Sequence, residues 1–126
     1  MVALQRVSGE VIVVDNSSVD DSCTMVKTLF PTVKLIESPV NLGFSKANNL
    51  ALAKAQGEYI LFLNPDTVVS EDCLFKCCQF MDEHSDAGAL GVKMLDGSGK
   101  ILPESKRGFP TTWVSFCKLT GLNKLF

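Results

Sequence analysis

Three short apolar runs, each followed by a polar loop, constrain the fold of this 126-residue chain more than any other feature. The runs cover residues 10–14, 33–37 and 58–63, and helix-like segments separate them. The first and third runs are continuously apolar, which is typical of strands covered on both faces in a parallel sheet. The alternation of strands and helices predicts an α/β fold, with a mostly parallel central sheet and helices on both faces.

The intervening segments show helical patterns over residues 20–30, 45–56 and 70–84. Ser18 is the predicted cap of the first helix, and Gly57 is the predicted stop of the second. In the second helix, apolar residues recur at the spacing of one helix face, and they include Ala47, Leu50, Ala51 and Ala55.

The segment after the third helix predicts a hairpin. Residues 89–95 read as a strand, residues 96–99 as a tight turn, and residues 100–102 as the returning strand.

Composition excludes several classes of protein. Apolar residues make up 46% and charged residues 21% of the chain, as in ordinary globular domains. The net charge of −2 argues against a broad basic surface, so we expect no nucleic-acid partner. Five cysteines are an odd number without paired spacing, which favours a reducing, cytoplasmic compartment over a disulfide framework. Cys73 and Cys77 are expected to pack on one helix face as small hydrophobes.

Two carboxylates stand directly after apolar runs, at Asp15 and Asp66. Ligands of parallel sheets bind beyond the carboxyl ends of the strands, so both side chains are predicted to face one crevice. Asp15 would accept hydrogen bonds from a ring N–H or a ribose hydroxyl, and Asp66 would hold a hard divalent cation. Alternatively, Asp15 caps its own loop and Asp66 belongs to a Pro-Asp turn that leads into a helix.

A third polar element lies between these carboxylates, at residues 41–49. The segment enters a helix whose amino end favours an anion. Lys46 would pair with a phosphate, and Asn49 would hydrogen-bond a nucleotide or the loop around Asp66. The alternative is a solvated Lys46, with asparagines that merely cap the helix.

Four motifs follow one another in the order of a known family. They are Asp-Asn-Ser-Ser at 15–18, Asn-Leu-Gly-Phe followed by Ala-Asn-Asn within 41–49, Gly-Glu-Tyr-Ile at 57–60, and Leu-Asn-Pro-Asp-Thr at 63–67. Together they resemble family-2 glycosyltransferases of the GT-A fold, and the rhamnosyltransferase-like branch fits best. The resemblance extends over about residues 8–126.

The resemblance implies an inverting transfer of a sugar from a nucleotide-diphosphate donor, with uridine or deoxythymidine as the nucleoside, to a hydroxyl of a glycan or polysaccharide. It assigns Asp66 to a divalent cation, Mg²⁺ or Mn²⁺. The residues that it assigns to the nucleotide are Asp15, Asn16, Ser17, Lys46 and Asn49.

Three departures from the family pattern predict an incomplete domain. Asn64 stands where the family's metal motif has a carboxylate. The family's first strand would precede Met1, and its general base is expected beyond Phe126. We therefore expect residues 1–126 to be one partial donor-binding domain, truncated at both ends, with a core at about residues 8–103. Residues 104–126 would begin an incomplete acceptor-side region.

These departures leave other hypotheses open. The chain could be a non-catalytic nucleotide-binding or assembly module that kept the fold. An exposed sheet edge would allow a homodimer. The full-length protein could associate peripherally with the inner face of the membrane.

Overall fold

The computed structural model describes residues 4–102 and residue 105. The elements in this part of the chain are β1 (Ile12–Asp15), α1 (Ser22–Leu29), β2 (Lys34–Glu37), α2 (Phe44–Leu52) and α3 (Cys73–Glu83). The chain divides into two compact units, Met1–Ser85 and Asp86–Phe126, and all five elements belong to the first. Their order confirms the predicted alternation of strands and helices from β1 to α2.

The sheet of the first unit is a parallel pair, with Asp15 of β1 opposite Glu37 of β2. The Lys34 N–H donates to the Val11 carbonyl and the Ser38 N–H to the Asp15 carbonyl, each at 2.9 Å, so pairing continues past both strand ends. Helix α2 packs on β1 and α1 packs on β2. This arrangement confirms the α/β class and brings the carboxyl ends of both strands to one edge.

Two of the described residues are buried. Ala47 on α2 is 8% exposed, as its place in the predicted apolar stripe requires, and Ser38 is 7% exposed. The Ser38 hydroxyl donates to the Val40 carbonyl at 2.6 Å, which satisfies this buried polar group within its own loop.

The predicted strand over residues 58–63 is wrong. This segment forms no strand, and its backbone makes no hydrogen bond to other backbone groups of the described residues. The side chains are open to solvent, with Leu61 at 59% and Phe62 at 56% exposure. A continuous apolar run indicates a tendency to be buried, but a strand also needs a partner at its edge. The described sheet ends at β1, so that partner is missing there.

The helix boundaries differ from those predicted, and carboxylate side chains accept hydrogen bonds from backbone N–H groups near two of the predicted ends. The Ser18 N–H donates to Asp15, and Asp21, not Ser18, occupies the N-cap position of α1. Helix α2 ends at Leu52, well before Gly57, and the Gln56 N–H donates to a carboxylate instead of continuing the helix. Helix α3 lies within its predicted range.

In the second unit, the predicted turn at 96–99 is confirmed and the strand over 89–95 is not. Only an isolated antiparallel bridge joins Leu95 to Ile101. The Asp96 carboxylate accepts the N–H groups of Ser98 and Lys100 at 2.8 and 2.9 Å, and Gly99 has a φ of 82° that suits glycine. The turn is therefore fixed by local polar contacts, while the flanking segments lack a longer ladder.

Two further observations concern the described part of the chain. None of its helices has both the length and the hydropathy that crossing a bilayer requires. The predicted acceptor-side region at 104–126 lies outside the described residues, apart from Ser105.

Glu10 connects three elements of the first unit. Its carboxylate accepts the Lys34 ammonium at the start of β2 and the Gln56 N–H after α2, both at 2.6 Å. The hydrogen bond from Lys34, followed by that from Gln56, lowers the pKa of Glu10 below its usual value of 4.5. The carboxylate therefore stabilises the folded chain in its ionised form.

We expect Glu10→Gln to lower the urea midpoint of unfolding at pH 7, because the variant loses the charge that pairs with Lys34. A group with a depressed folded pKa contributes stability above its unfolded pKa and loses it as the pH falls through the folded value. The difference between variant and wild type should therefore shrink as the pH is lowered below 4.5. Glu71→Gln, at an exposed carboxylate, serves as the control. A difference that is constant from pH 7 to pH 3 would contradict this role.

Gly43 precedes α2 with a φ of 75°, and a Cβ at this position would meet no atom within 4 Å. Gly43→Ala should therefore destabilise the chain through backbone strain alone, by about 1–3 kcal/mol, because a φ of 75° with a ψ of 169° is a conformation that only glycine readily adopts. Gly88→Ala is the matched control, since its Cβ also meets open space and its φ is not positive. Denaturant unfolding measures both, and equal stabilities of the two variants would contradict the assignment.

Candidate functional site

The loop after β1 is held in an uncommon conformation. Asp15 ends the strand, and its Oδ2 accepts the Ser18 N–H at 3.2 Å, which folds residues 16–18 back over the strand end. Ser17 between them has a φ of 71°, a left-handed conformation that non-glycine residues seldom adopt. Strained backbone of this kind is enriched at ligand sites, because the surrounding contacts hold it in place for function.

The Asp15 carboxylate is kept ionised by its own loop. The Ser18 side chain lowers the pKa of Asp15 below the usual value, against the opposing effect of desolvation, and the Ser18 N–H, the Cys23 thiol and the Ser17 N–H lower it further. Desolvation, followed by the neighbouring Asp15 carboxylate, raises the pKa of Cys23 to about 11. Cys23 is therefore a neutral thiol near Asp15, a neighbour that no sequence motif indicated.

Helix α1 is tied to the same edge through an ion pair. The Lys27 ammonium lies 2.7 Å from a Glu37 carboxylate oxygen, although both side chains are about half exposed. The hydrogen bond from Lys27 lowers the pKa of Glu37. Since Glu37 is opposite Asp15, the carboxyl edge of the sheet holds two ionised carboxylates, and Lys27 compensates one of them.

The loop that enters α2 is joined directly to the loop after β1. The Asn16 Oδ1 accepts the Leu42 N–H at 2.7 Å, and the Asn16 Nδ2 donates to the Asn41 Oδ1 at 3.0 Å. The Asn41 Oδ1 also accepts the Gly43 N–H at 2.9 Å. Three of the predicted site residues, Asp15 to Ser17, thus lie beside the segment that starts α2.

The amino end of α2 lies at this junction. Its first intrahelical bond runs from the Ala47 N–H to the Gly43 carbonyl, so the N–H groups of residues 44–46 precede the helical ladder. Lys46 and Asn49 are exposed, and their spacing of three places them on one helix face. Both side chains are therefore accessible to a ligand in solution.

Asp66 lies in an exposed turn. The Thr67 N–H donates to the Asn64 carbonyl at 3.2 Å, with Pro65 and Asp66 at the two central positions, as the alternative Pro-Asp interpretation predicts. Among the described residues, no hydrogen bond or ion pair connects this turn to the loop of Asp15, and no group of three metal-ligating side chains is assembled. The shared crevice of Asp15 and Asp66 therefore stays a prediction.

The first unit also has an open cavity of about 430 Å³ on a different set of residues. It is lined by residues 6–8 and by the face of α3 that carries Phe75 and Cys78. The Arg6 guanidinium lies 4.3 Å from the centre of the Phe75 ring. The lining residues 6–8 precede β1 in the chain, whereas Asp15 ends it, so this cavity is separate from the predicted site.

Comparisons with known proteins agree with the motifs at this edge. Residues 8–124 match the family described as Glycosyl transferase family 2. No solved structure shows a significant match to the chain.

Several curated bacterial proteins are similar to the chain. Poly(ribitol-phosphate) beta-N-acetylglucosaminyltransferase TarS of Staphylococcus aureus is 32% identical over 99 residues, which cover 76% of this chain and 17% of TarS. Poly(ribitol-phosphate) beta-glucosyltransferase of Bacillus spizizenii is 34% identical over 100 residues, which cover 76% of this chain and 16% of that enzyme.

An uncharacterized glycosyltransferase of Haemophilus influenzae is 39% identical over 75 residues, which cover 57% of this chain and 30% of that protein. The chain thus corresponds to less than a third of the length of each of these three relatives. Since the family match spans nearly all of the sequence, the chain belongs to glycosyltransferase family 2.

Proposed function

We propose that the chain is the donor-binding part of an inverting glycosyltransferase, and that it binds a nucleotide-diphosphate sugar at the carboxyl edge of the β1–β2 sheet. The observation that carries this proposal is the contact between Asn16 and Leu42, which joins the strand-end loop to the amino end of α2. A polar strand-end loop beside a helix amino terminus suits a ligand with a hydrogen-bonding base at one end and phosphates at the other.

Asp15 is proposed to recognise the base. A carboxylate whose pKa is lowered accepts hydrogen bonds at neutral pH, and a ring N–H of uracil or thymine supplies a donor. Asn16 and Ser17 belong to the same loop and are proposed to contribute to nucleotide binding.

The diphosphate is proposed to lie near the start of α2. The helix dipole and the N–H groups of residues 44–46 favour negative charge there. Lys46 is exposed in this first turn and would pair with a phosphate, and Asn49 follows on the same face as a further hydrogen-bond donor.

Asp66 is proposed to hold Mg²⁺ or Mn²⁺. Its exposed carboxylate and the side-chain oxygen of Asn64 are hard donors of the kind these cations prefer, and phosphate oxygens and water complete such sites. The bound cation supplies neutralisation of charge on the departing diphosphate. No described residue is assigned as the general base.

The acceptor and the setting of the reaction are proposed from the relatives. Two of them are named for acting on poly(ribitol-phosphate), so we propose a hydroxyl of a polyol-phosphate or related glycan polymer as acceptor. The proposed donor stays a uridine- or deoxythymidine-diphosphate sugar, as the motifs imply. The rhamnosyltransferase-like assignment stays a prediction. We propose a cytoplasmic location, with a homodimer and peripheral membrane association as further hypotheses.

Replacing Asp66 by Ala should weaken uridine-diphosphate binding at least about tenfold when Mg²⁺ is present, because even outer-shell changes at metal sites have effects of this size. Binding without metal should be unchanged. Calorimetric titration with and without Mg²⁺ measures both, and Asp86→Ala is the control at an exposed aspartate. A metal-dependent affinity that is equal in Asp66→Ala and wild type would contradict the cation role.

Replacing Asp15 by Asn should reduce the preference for uridine diphosphate over guanosine diphosphate by about tenfold, since hydrogen bonds to charged groups contribute about 1.5–3 kcal/mol. Competition binding of the two nucleotides gives the ratio. The control is Asp20→Asn, an isosteric change in the same loop, which should leave the ratio unaffected. The same ratio in wild type and Asp15→Asn would remove Asp15 from base recognition.

Sugar release from a panel of donors distinguishes the proposed enzyme from a non-catalytic nucleotide-binding module. Nucleotide binding without sugar release would favour the module.

A further inference from the structure

The side-chain amides of Asn16 and Asn41 form a small network that involves no charged group. Asn16 binds Leu42 N–H at 2.7 Å and donates to Asn41 at 3.0 Å, and Asn41 accepts the Gly43 N–H at 2.9 Å. Each bond joins a side chain to the short segment 41–43. The network thus links the residue that follows Asp15 to the segment that precedes the first turn of α2.

The orientation of both amides is fixed by the backbone groups that they meet. The Leu42 N–H is a donor, so it must face the oxygen of Asn16, and the Gly43 N–H must likewise face the oxygen of Asn41. The amino group of Asn16 then meets the oxygen of Asn41 as donor to acceptor. The opposite orientation of either amide would set donor against donor, so the network has a single satisfied arrangement.

We propose that Asn16 and Asn41 are positioning residues for the nucleotide site. They act through residues 41–43, whose placement sets the amino end of α2 relative to Asp15. This inference rests on the proposed function, because it assumes that the base and the diphosphate contact these two elements. It also separates Asn16 from Asp15, which would contact the nucleotide directly.

The two asparagines use their amides differently, which allows a sharp test. Asn41 uses only its oxygen, so Asn41→Asp keeps both bonds and strengthens the one from Asn16. Asn16 uses oxygen and amino group, so Asn16→Asp loses the donor and sets a carboxylate against the oxygen of Asn41. Both variants add one negative charge at the same junction, so each controls for the repulsion that the other exerts on a diphosphate.

The first measurement is amide hydrogen exchange by NMR in the nucleotide-free chain. Asn16→Ala, which removes the oxygen that accepts the Leu42 N–H, should increase exchange at Leu42, and Asn41→Asp should leave Leu42 and Gly43 as in wild type, since local opening sets the exchange of such amides. The amides of β1 and β2 should be unchanged in both variants, which controls for unfolding. Unchanged exchange at Leu42 in Asn16→Ala would overturn the network.

The second measurement is the affinity for uridine diphosphate with Mg²⁺. Asn16→Asp should bind about tenfold more weakly than Asn41→Asp, the effect of one lost hydrogen bond plus an unpaired acceptor. Equal affinities of the two variants, in a wild-type chain that binds, would overturn the positioning role and leave the proposed function standing. A wild-type chain that binds no nucleotide would overturn the proposed function and the positioning role together.

Discussion

The parallel pairing of β1 with β2 is the constraint on which the rest of the site depends. Because the strands run in the same direction, their polar ends, Asp15 and Glu37, meet at one edge of the sheet. The loop from Glu37 must then pass Asp15 before it can enter α2, and Asn16 holds it there. An antiparallel pair would place these two ends at opposite edges, and no amide could link them.

Nearby groups stabilise both carboxylates at this edge. Lys27 pairs with Glu37, and the Ser18 and Cys23 donors stabilise the charge on Asp15. Neither arrangement uses Lys46, whose ammonium makes no ion pair with the other described residues. We propose that Asp15 accepts a hydrogen bond from the base and that Lys46 pairs with a phosphate of the nucleotide diphosphate.

The sequence predicted the elements whose partners are close in the chain. Local patterns of apolar residues predict the strands β1 and β2 and the burial of Ala47 on α2. The connection between the two strands is also short. The strand predicted at residues 58–63 does not form, since apolar character alone does not supply a neighbouring strand. Exact helix ends were missed where a distant carboxylate intervenes, as Glu10 does at Gln56.

In the candidate site too, local motifs were predictable from the sequence, whereas contacts between distant segments were not. A motif at a strand end predicts Asp15, Asn16 and Ser17 as site residues, and the structure adds how their loop is held, through Ser18 and Asn41. The contacts of Asn16 with Leu42 span 26 residues, and no periodicity or composition encodes a bond of that range. The placement of Asp66 relative to Asp15 depends on how residues 58–63 pack, which is why the motif alone did not determine it.

Chemical-shift mapping during titration of the full chain with uridine diphosphate and Mg²⁺ tests the central claim most directly, because it locates the ligand without assuming a role for any residue. The account predicts that the perturbed amides cluster at residues 15–18, 41–46 and 64–67. Perturbations centred instead on the cavity that Arg6 and Phe75 line, with the carboxyl edge of the sheet unaffected, would contradict it.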